Sequence, residues 1–201
     1  MPLGLVGHKE LREQLENRFQ TKKLGHTLLF QGPASIGKKH VALELAQKDL
    51  CHKKNACGIC EACQLYLGTN LLDSPPPNLL LIEPEGKAGQ IKVENFRNAH
   101  DLEGGIFEWL GTSLGPHGHK WVIIDEAHQL NSTSANMLLK LLEEPPSHVY
   151  FILITHRPES ILPTIKSRSE HVIIASLSSA EVQEIALAHG WEKGDIPPML
   201  S

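Results

Sequence analysis

The sequence predicts an α/β fold built on a mostly parallel sheet. Short apolar runs at 27–30, 79–82, 121–126, 149–155 and 171–174 alternate with segments of helical periodicity, the pattern of a parallel sheet with helices on its faces. These runs are largely continuous rather than alternating, as in strands buried on both sides. The first run ends in a glycine-rich turn that leads directly into a helix, the layout of a phosphate-binding loop.

In chain order, residues 7–19 carry Leu11, Leu15 and Phe19 at helical spacing with charges between them, which reads as a surface helix. Strand 27–30 follows and stops at Gly32-Pro33. Residues 38–50, with Val41, Ala42, Leu45 and Ala46 on one face, form the next helix. A cysteine insert comes next, and the Asp73-Ser74-Pro75-Pro76-Pro77 run is a stiff connector that cannot continue a helix. Strand 79–82 precedes a loop at 86–89, and Ile91, Val93, Phe96 and Ala99 suggest a helix. Gly104-Gly105 and the stretch 111–118 are loop signals. Strand 121–126 ends in Asp125-Glu126. Residues 134–144 form a strong helix stopped by Pro145-Pro146. After strand 149–155, residues 158–166 are a short helix or turn, and 171–174 is the fifth strand. Ser178-Ser179-Ala180-Glu181 is a capping box that opens a last helix, closed by Gly190. Residues 193–201 carry Pro197-Pro198 and no pattern.

At 201 residues the chain is one generous domain, or one domain and a fragment. Its 41% hydrophobic and 21% charged residues exclude wholesale disorder. No apolar run approaches the ~18 residues that span a bilayer, so no membrane protein is expected. The N-terminus lacks the basic and apolar regions of a signal peptide, which makes the cytoplasm the expected location. Nineteen Lys+Arg against 23 Asp+Glu give a net charge of -4, without the basic excess of a nucleic-acid binder. The 12 histidines are scattered, apart from a close pair at His117 and His119. They read as solvated groups in preference to metal ligands or pH sensors.

Gly32-Pro33-Ala34-Ser35-Ile36-Gly37-Lys38-Lys39 has the G-x-x-x-x-G-K spacing. Glycines there let backbone N–H groups curl around phosphate oxygens, the helix N-terminus adds partial positive charge, and the lysine reaches the terminal phosphates. The motif requires Ser or Thr next, because that hydroxyl ligates Mg²⁺. Lys39 stands there instead, and an ammonium repels a cation. A relic loop that binds nucleotide weakly or not at all is the favoured reading over a working ATPase. Asp125-Glu126 resembles a Walker B pair, in which the Asp holds Mg²⁺ and the Glu polarises the attacking water; the alternative is two solvated carboxylates at a strand end. Thr155 is equally a polar sensor near the γ-phosphate or a strand-end hydroxyl.

The four cysteines, Cys51, Cys57, Cys60 and Cys63, are confined to residues 51–63. A disulfide framework would spread them out, so a metal site in a reducing compartment is indicated. Four thiolates at short spacing close a tetrahedron around Zn²⁺ with no open position, which makes the site structural. A redox pair built from the C-x-x-C units and an iron–sulfur cluster are the competing readings. So is a nucleic-acid-binding zinc module, for which Lys53 and Lys54 are thin support.

These features in this order, with the stretches LLKLLEEPP (138–146) and LPTIKSRS (162–169), resemble the bacterial clamp-loader AAA+ ATPases, the γ/τ and δ′ subunits of DNA polymerase III. The resemblance covers residues 5–190. Lys39 in the loop, Pro2-Leu3-Gly4-Leu5-Val6-Gly7 at the opening, and Glu83-Pro84 followed by Ile91-Lys92-Val93 resemble the δ′ branch. The alternative is an active γ/τ-type ATPase. The resemblance implies a RecA-like AAA+ P-loop domain at 1–175, with a zinc module at about 51–63, and the beginning of a helical lid at 176–201 that reads as cut short. It implies zinc as a structural cofactor and a degenerate nucleotide site made of Gly32, Gly37, Lys38, Lys39, Asp125, Glu126 and Thr155. The implied partners are the γ/τ and δ subunits, with the sliding clamp and primed DNA reached through the complex, in a polymerase holoenzyme. The family's Ser-Arg-Cys motif stands here as Ser167-Arg168-Ser169. The retained Arg168 is the expected arginine finger, supplied to a neighbouring ATPase subunit; the alternative is a surface arginine paired with a carboxylate such as Glu170 or Glu159.

Overall fold

A computed structural model describes residues 7–67, 76–86, 89–97, 104–112 and 118–188. Its elements are α1 (Lys9–Gln20), β1 (Thr27–Gln31), α2 (Lys38–Leu50), α3 (Glu61–Leu67), β2 (Leu79–Ile82), α4 (Val93–Arg97), α5 (Gly105–Gly111), β3 (Lys120–Ile124), α6 (Ser132–Glu143), β4 (Val149–Thr155), α7 (Pro163–Lys166), β5 (Glu170–Ile173) and α8 (Ser179–Ala188). Short 3₁₀ turns at Ala127–Gln129 and Pro158–Ser160 follow β3 and β4.

The five strands form one parallel sheet in the order β2-β3-β4-β1-β5. The period-two geometry of a strand sorts the apolar runs into two cores. Leu29, Val122, Ile124, Phe151 and Leu153 face the side covered by α4 to α7. Leu28, Phe30, Trp121, Ile123, Ile152 and Ile154 face the side covered by α1 and α2. Burial on both faces explains why these strands are continuous apolar runs. Because all strands run the same way, Gln31, Ile82, Ile124 and Thr155 end on one edge, the edge where such sheets place their ligands.

The predicted strands and main helices are present, with shifted ends. The third strand stops at Ile124, so Asp125 and Glu126 lie in the turn after it. Helix α6 starts earlier, at Ser132, because Asn131 caps it: its side chain accepts from Ser134 N at 2.9 Å. Ile91 is not helical. It bridges Leu130 in parallel, and α4 begins at Val93. Two helices lay hidden, α3 within the cysteine insert and α5 between the loop signals. Gly105 opens α5 at φ 59°, where an added Cβ would lie 2.6 Å from the Arg97 backbone. That glycine therefore marks a close approach rather than a loop. The connector at 73–75, Ala99, residues 113–117 including His117, Gly190 and residues 193–201 lie outside the described residues.

The capping box at Ser178 forms as expected, with Glu181 N donating to Ser178 Oγ at 3.3 Å and Ser178 N to Glu181 Oε2 at 2.8 Å. The other Glu181 oxygen accepts from His8 N at 2.8 Å, while the His8 ring reaches Ile36 O at 2.7 Å. The start of α1 thus ties α8 to the phosphate loop.

Glu44 locks α1 to α2. Its side chain is 7% exposed, receives both ends of the Arg12 guanidinium and lies 3.3 Å from Lys48 Nζ. Burial pushes its carboxyl up, but Arg12 and Lys48 more than offset that and hold it below the ordinary range. A depressed folded-state value means the stabilisation is fully present above the unfolded value of about 4.3 and is lost as pH falls through the lower folded value. Glu44→Gln should cost about 3 kcal/mol at pH 7, the low end for breaking a buried pair, since Arg12 is partly exposed. It should also flatten the acid limb below pH ~4. Urea melts of both proteins across pH 3 to 7 check this; parallel pH curves would refute it.

Candidate functional site

The phosphate loop leaves β1 at Gly32, where an added Cβ would lie 2.1 Å from Ile174 O, a close approach only glycine allows. Ile174 N donates to Gln31 O at 2.7 Å, which holds the loop's base against the end of β5. Gly37, at φ 90°, is the left-handed residue that turns the loop into α2. The Lys38 ammonium is buried and donates to Gly32 O at 3.0 Å and to Pro33 O. Burial pushes it below the usual lysine range, against the pull of Glu126 and Asp125.

Lys39 carries the departure from a metal-binding loop. Its ammonium forms an ion pair with Glu83, just past β2, and lies 3.7 Å from Asp125 Oδ2, just past β3. Burial raises the Asp125 carboxyl above its ordinary range, and Lys39 only partly opposes this. A tethered cation thus stands between two carboxylates at the strand ends.

Glu126 is turned elsewhere. It sits at φ 50°, a left-handed conformation uncommon for a residue with a Cβ. Asp125 Oδ1 accepts its N–H at 3.0 Å. Glu126 Oε2 lies 2.8 Å from His156 Nδ1 and 3.3 Å from His128 Nε2. Thr155, fully buried, accepts from Arg157 N at 2.9 Å, and its hydroxyl lies 3.2 Å from His128 Nδ1. The expectation of solvated histidines fails here, because the His128 side chain is only 3% exposed. Glu83, His128 and His156 were not singled out as site residues from sequence. A polar residue directly following an apolar run is the signal that would have found Glu83 and His156.

Arg168 lies beyond α7, part-exposed. It donates to Thr164 O at 3.0 Å and pairs with Glu143 Oε1 at 3.2 Å. Neither carboxylate named from sequence is this partner; Glu170 is bound by Arg18 and by Gly25 N. Glu143 ends α6, so the two sequence stretches that carry the resemblance meet in space.

The cysteines converge as their spacing predicts. All four Sγ atoms lie within 4.8 Å of one another, with Cys51 and Cys63 buried. Left-handed residues Lys54, Ala56 and Gly58 fold the turn, and α3 presents Cys63. Burial pushes the Cys51 thiol up, but the N–H groups of Cys57, Asn55 and Lys53 bring it down to about 6. Burial and the neighbouring thiols push Cys63 to about 12. The Sγ atoms of Cys51 and Cys60 are 4.0 Å apart, close to the edge of about 3.8 Å in a tetrahedron with 2.3 Å metal–sulfur bonds. The residues therefore fit a metal. Asp49, two residues before the first thiol, anchors the knuckle to the sheet by accepting from His119 N at 2.9 Å and Trp121 Nε1 at 3.0 Å.

The family described as DNA polymerase III, delta subunit, matches the chain over residues 7–178. The DNA polymerase III subunit delta' of Pseudomonas aeruginosa is 40% identical over 147 residues, covering 71% of this chain and 41% of that protein. The subunit delta' of Yersinia pestis is 30% identical over 188 residues, 92% of this chain and 51% of its own length. The subunit gamma/tau of Mycobacterium tuberculosis is 31% identical over 172 residues, 83% of this chain and 27% of that one. Among solved structures, a DNA polymerase III gamma subunit-related protein from Thermotoga maritima aligns with TM-score 0.61 and 25% identity over 88% of this chain and 49% of its own. The chain spans about half the length of these relatives, or less.

Proposed function

The chain belongs to the DNA polymerase III delta subunit family, and from that membership we propose that it acts as a δ′-like, non-hydrolysing subunit of a clamp loader. Its partners in this reading are the γ/τ and δ subunits. The assembled machine places a sliding clamp on primed DNA at the expense of ATP bound elsewhere in the ring. Residues 1–175 serve as the AAA+ domain and 176–201 as the beginning of the lid. The proposed place of work is the cytoplasm, where DNA is replicated in a bacterial cell; among the described residues no helix is long and apolar enough to cross a membrane. Zinc at the four cysteines is the structural cofactor, holding the insert without an open ligand position.

The observation that carries the proposal is Lys39 between Glu83 and Asp125. In a working motor a loop hydroxyl and Mg²⁺ meet the strand-end acid, and the metal neutralises the phosphates. Here a covalently tethered ammonium already serves the acids. Two like unit charges 4 Å apart repel by about 4 kcal/mol at an effective dielectric constant of 20, and a divalent ion suffers more.

The isolated chain should show no steady-state ATP hydrolysis above background, yet should co-purify with the other clamp-loader subunits. Turnover by the isolated chain would favour the γ/τ-type reading. Lys39→Thr should tighten Mg²⁺-dependent nucleotide binding at least tenfold, about 1.4 kcal/mol by calorimetry. Unchanged binding would mean that Lys39 is not the cause.

A further inference from the structure

The cluster of Glu126, His128 and His156 lies beside the phosphate loop but is not used by the proposed function. Its three ligand atoms, Glu126 Oε2, His128 Nε2 and His156 Nδ1, all lie within 4.8 Å of one another. Proximity does not make them a hydrogen-bonded group. Neither His128 Nε2 nor His156 Nδ1, both buried atoms, has a hydrogen-bond partner, although the carboxylate oxygen is 3.3 and 2.8 Å away. The ring nitrogens miss the alignment that a hydrogen bond needs.

From this arrangement we infer that Glu126, His128 and His156 form a second metal site, which takes a borderline divalent ion of the zinc class. Two imidazoles and one carboxylate are a recurrent three-residue set for such ions, and they leave a fourth position open to water or to an oxygen of an anionic ligand. Metal–nitrogen and metal–oxygen bonds of about 2.0–2.2 Å in a tetrahedron require ligand atoms roughly 3.3–3.6 Å apart; the 3.3 Å between Glu126 Oε2 and His128 Nε2 matches this, and the 2.8 Å between Glu126 Oε2 and His156 Nδ1 has to open by about 0.5 Å around an ion.

The surroundings prepare the ligands. A proton on His128 Nδ1 can be donated to Thr155 Oγ1, 3.2 Å away, which leaves the lone pair on Nε2. Ligating histidines are commonly oriented in this way by their second nitrogen. Arg157 N donates to the same hydroxyl and fixes it. The rings of His128 and His156 meet edge to face with centroids 4.4 Å apart, so both nitrogens can approach one point without stacking. The left-handed backbone of Glu126 turns its carboxylate to this point. The side chains of His156 and Glu126 are 25% and 36% exposed, which gives an entry path.

The inference does not rest on the clamp-loader reading, and its test is separate from subunit assembly. The chain is dialysed against ZnCl2, passed over a desalting column and analysed for metal. Wild type should retain one more equivalent than His128→Ala or His156→Ala, whatever the cysteines hold. With CoCl2, the histidine-dependent equivalent should bring the visible d–d bands of a four-coordinate ion without the near-ultraviolet charge-transfer band that thiolate ligands give. Glu126→Gln and Thr155→Val are less disruptive variants. Thr155→Val should weaken the added equivalent about 10–100-fold, as losing an outer-shell partner does, and Glu126→Gln should weaken it at least as much. Equal stoichiometry in wild type and all four variants would overturn the site. So would an equal loss in His171→Ala, an exposed histidine of β5 outside the cluster, since that would mark adventitious binding.

Discussion

In an assembled clamp-loader ring, Arg168→Ala should lower ATP turnover at the neighbouring subunit by about 10³–10⁵-fold, the factor that arginine fingers contribute in GTPases. Clamp loading should fall with it, while this chain's fold and metal content should be unchanged. Arginine suits the role because it is always charged and its planar fork grips two phosphate oxygens. The guanidinium is part-exposed and held by groups that can release it, namely Thr164 O and Glu143. Exposed ion pairs contribute only 0–1 kcal/mol, so transfer to a γ-phosphate costs little. Glu143→Gln separates the two roles. If Arg168 is only a structural residue, both variants should lower the melting temperature slightly and leave the ATPase alone. If it is a finger, Glu143→Gln should leave the turnover near wild type while Arg168→Ala abolishes it. Turnover and loading unchanged by Arg168→Ala in a complete ring would sink the assignment.

The second large effect concerns the cysteines. Purified protein should carry about one tightly held zinc per chain that disappears in Cys60→Ser. Structural zinc supplies roughly 10–16 kcal/mol of apparent binding energy in small finger peptides, far more than the short insert can gain from burial alone. Removing the metal should therefore melt residues 51–67. It should leave the strands folded, because the two cores flanking the sheet are built without the thiols. Hydrogen exchange reads both outcomes in one experiment: protection lost at 51–67 and retained in β1, β3 and β4. Stoichiometric iron, paired disulfides or a metal-free wild-type chain would each reject zinc.

Strands β1 to β4 were legible from sequence because they are buried on both faces, so runs such as 149–155 carry no competing helical period. Helix α5 was not legible, because Gly104, Gly105 and Gly111 punctuate it. Only the contact with the Arg97 backbone shows that Gly105 belongs inside an element. The same division holds at the site. The phosphate loop and the four cysteines are local in sequence, and their residue types and spacing point to their chemistry. Glu83, His128 and His156 come from three strand ends that only the parallel register brings together, and no spacing rule connects them. The carboxylate that Arg168 meets in the folded chain, Glu143, was hidden for a related reason. Glu170 is only two residues on in sequence, but as the first residue of β5 it is taken up by Arg18 and Gly25 N.

The position of β1 has a consequence for the order of synthesis. The strand that carries the phosphate loop leaves the ribosome well before its two neighbours in the sheet, β4 and β5. Until Val149–Thr155 and Glu170–Ile173 emerge, Thr27–Gln31 has no backbone partner, while β2 and β3 can already pair with each other. Long-range parallel pairing of this kind is slow and leaves apolar strand edges open meanwhile. The nascent chain is therefore most exposed to aggregation between translation of β1 and translation of β5. The cysteine insert, complete well before β4 appears, can fold around a metal ion while the sheet is still unfinished.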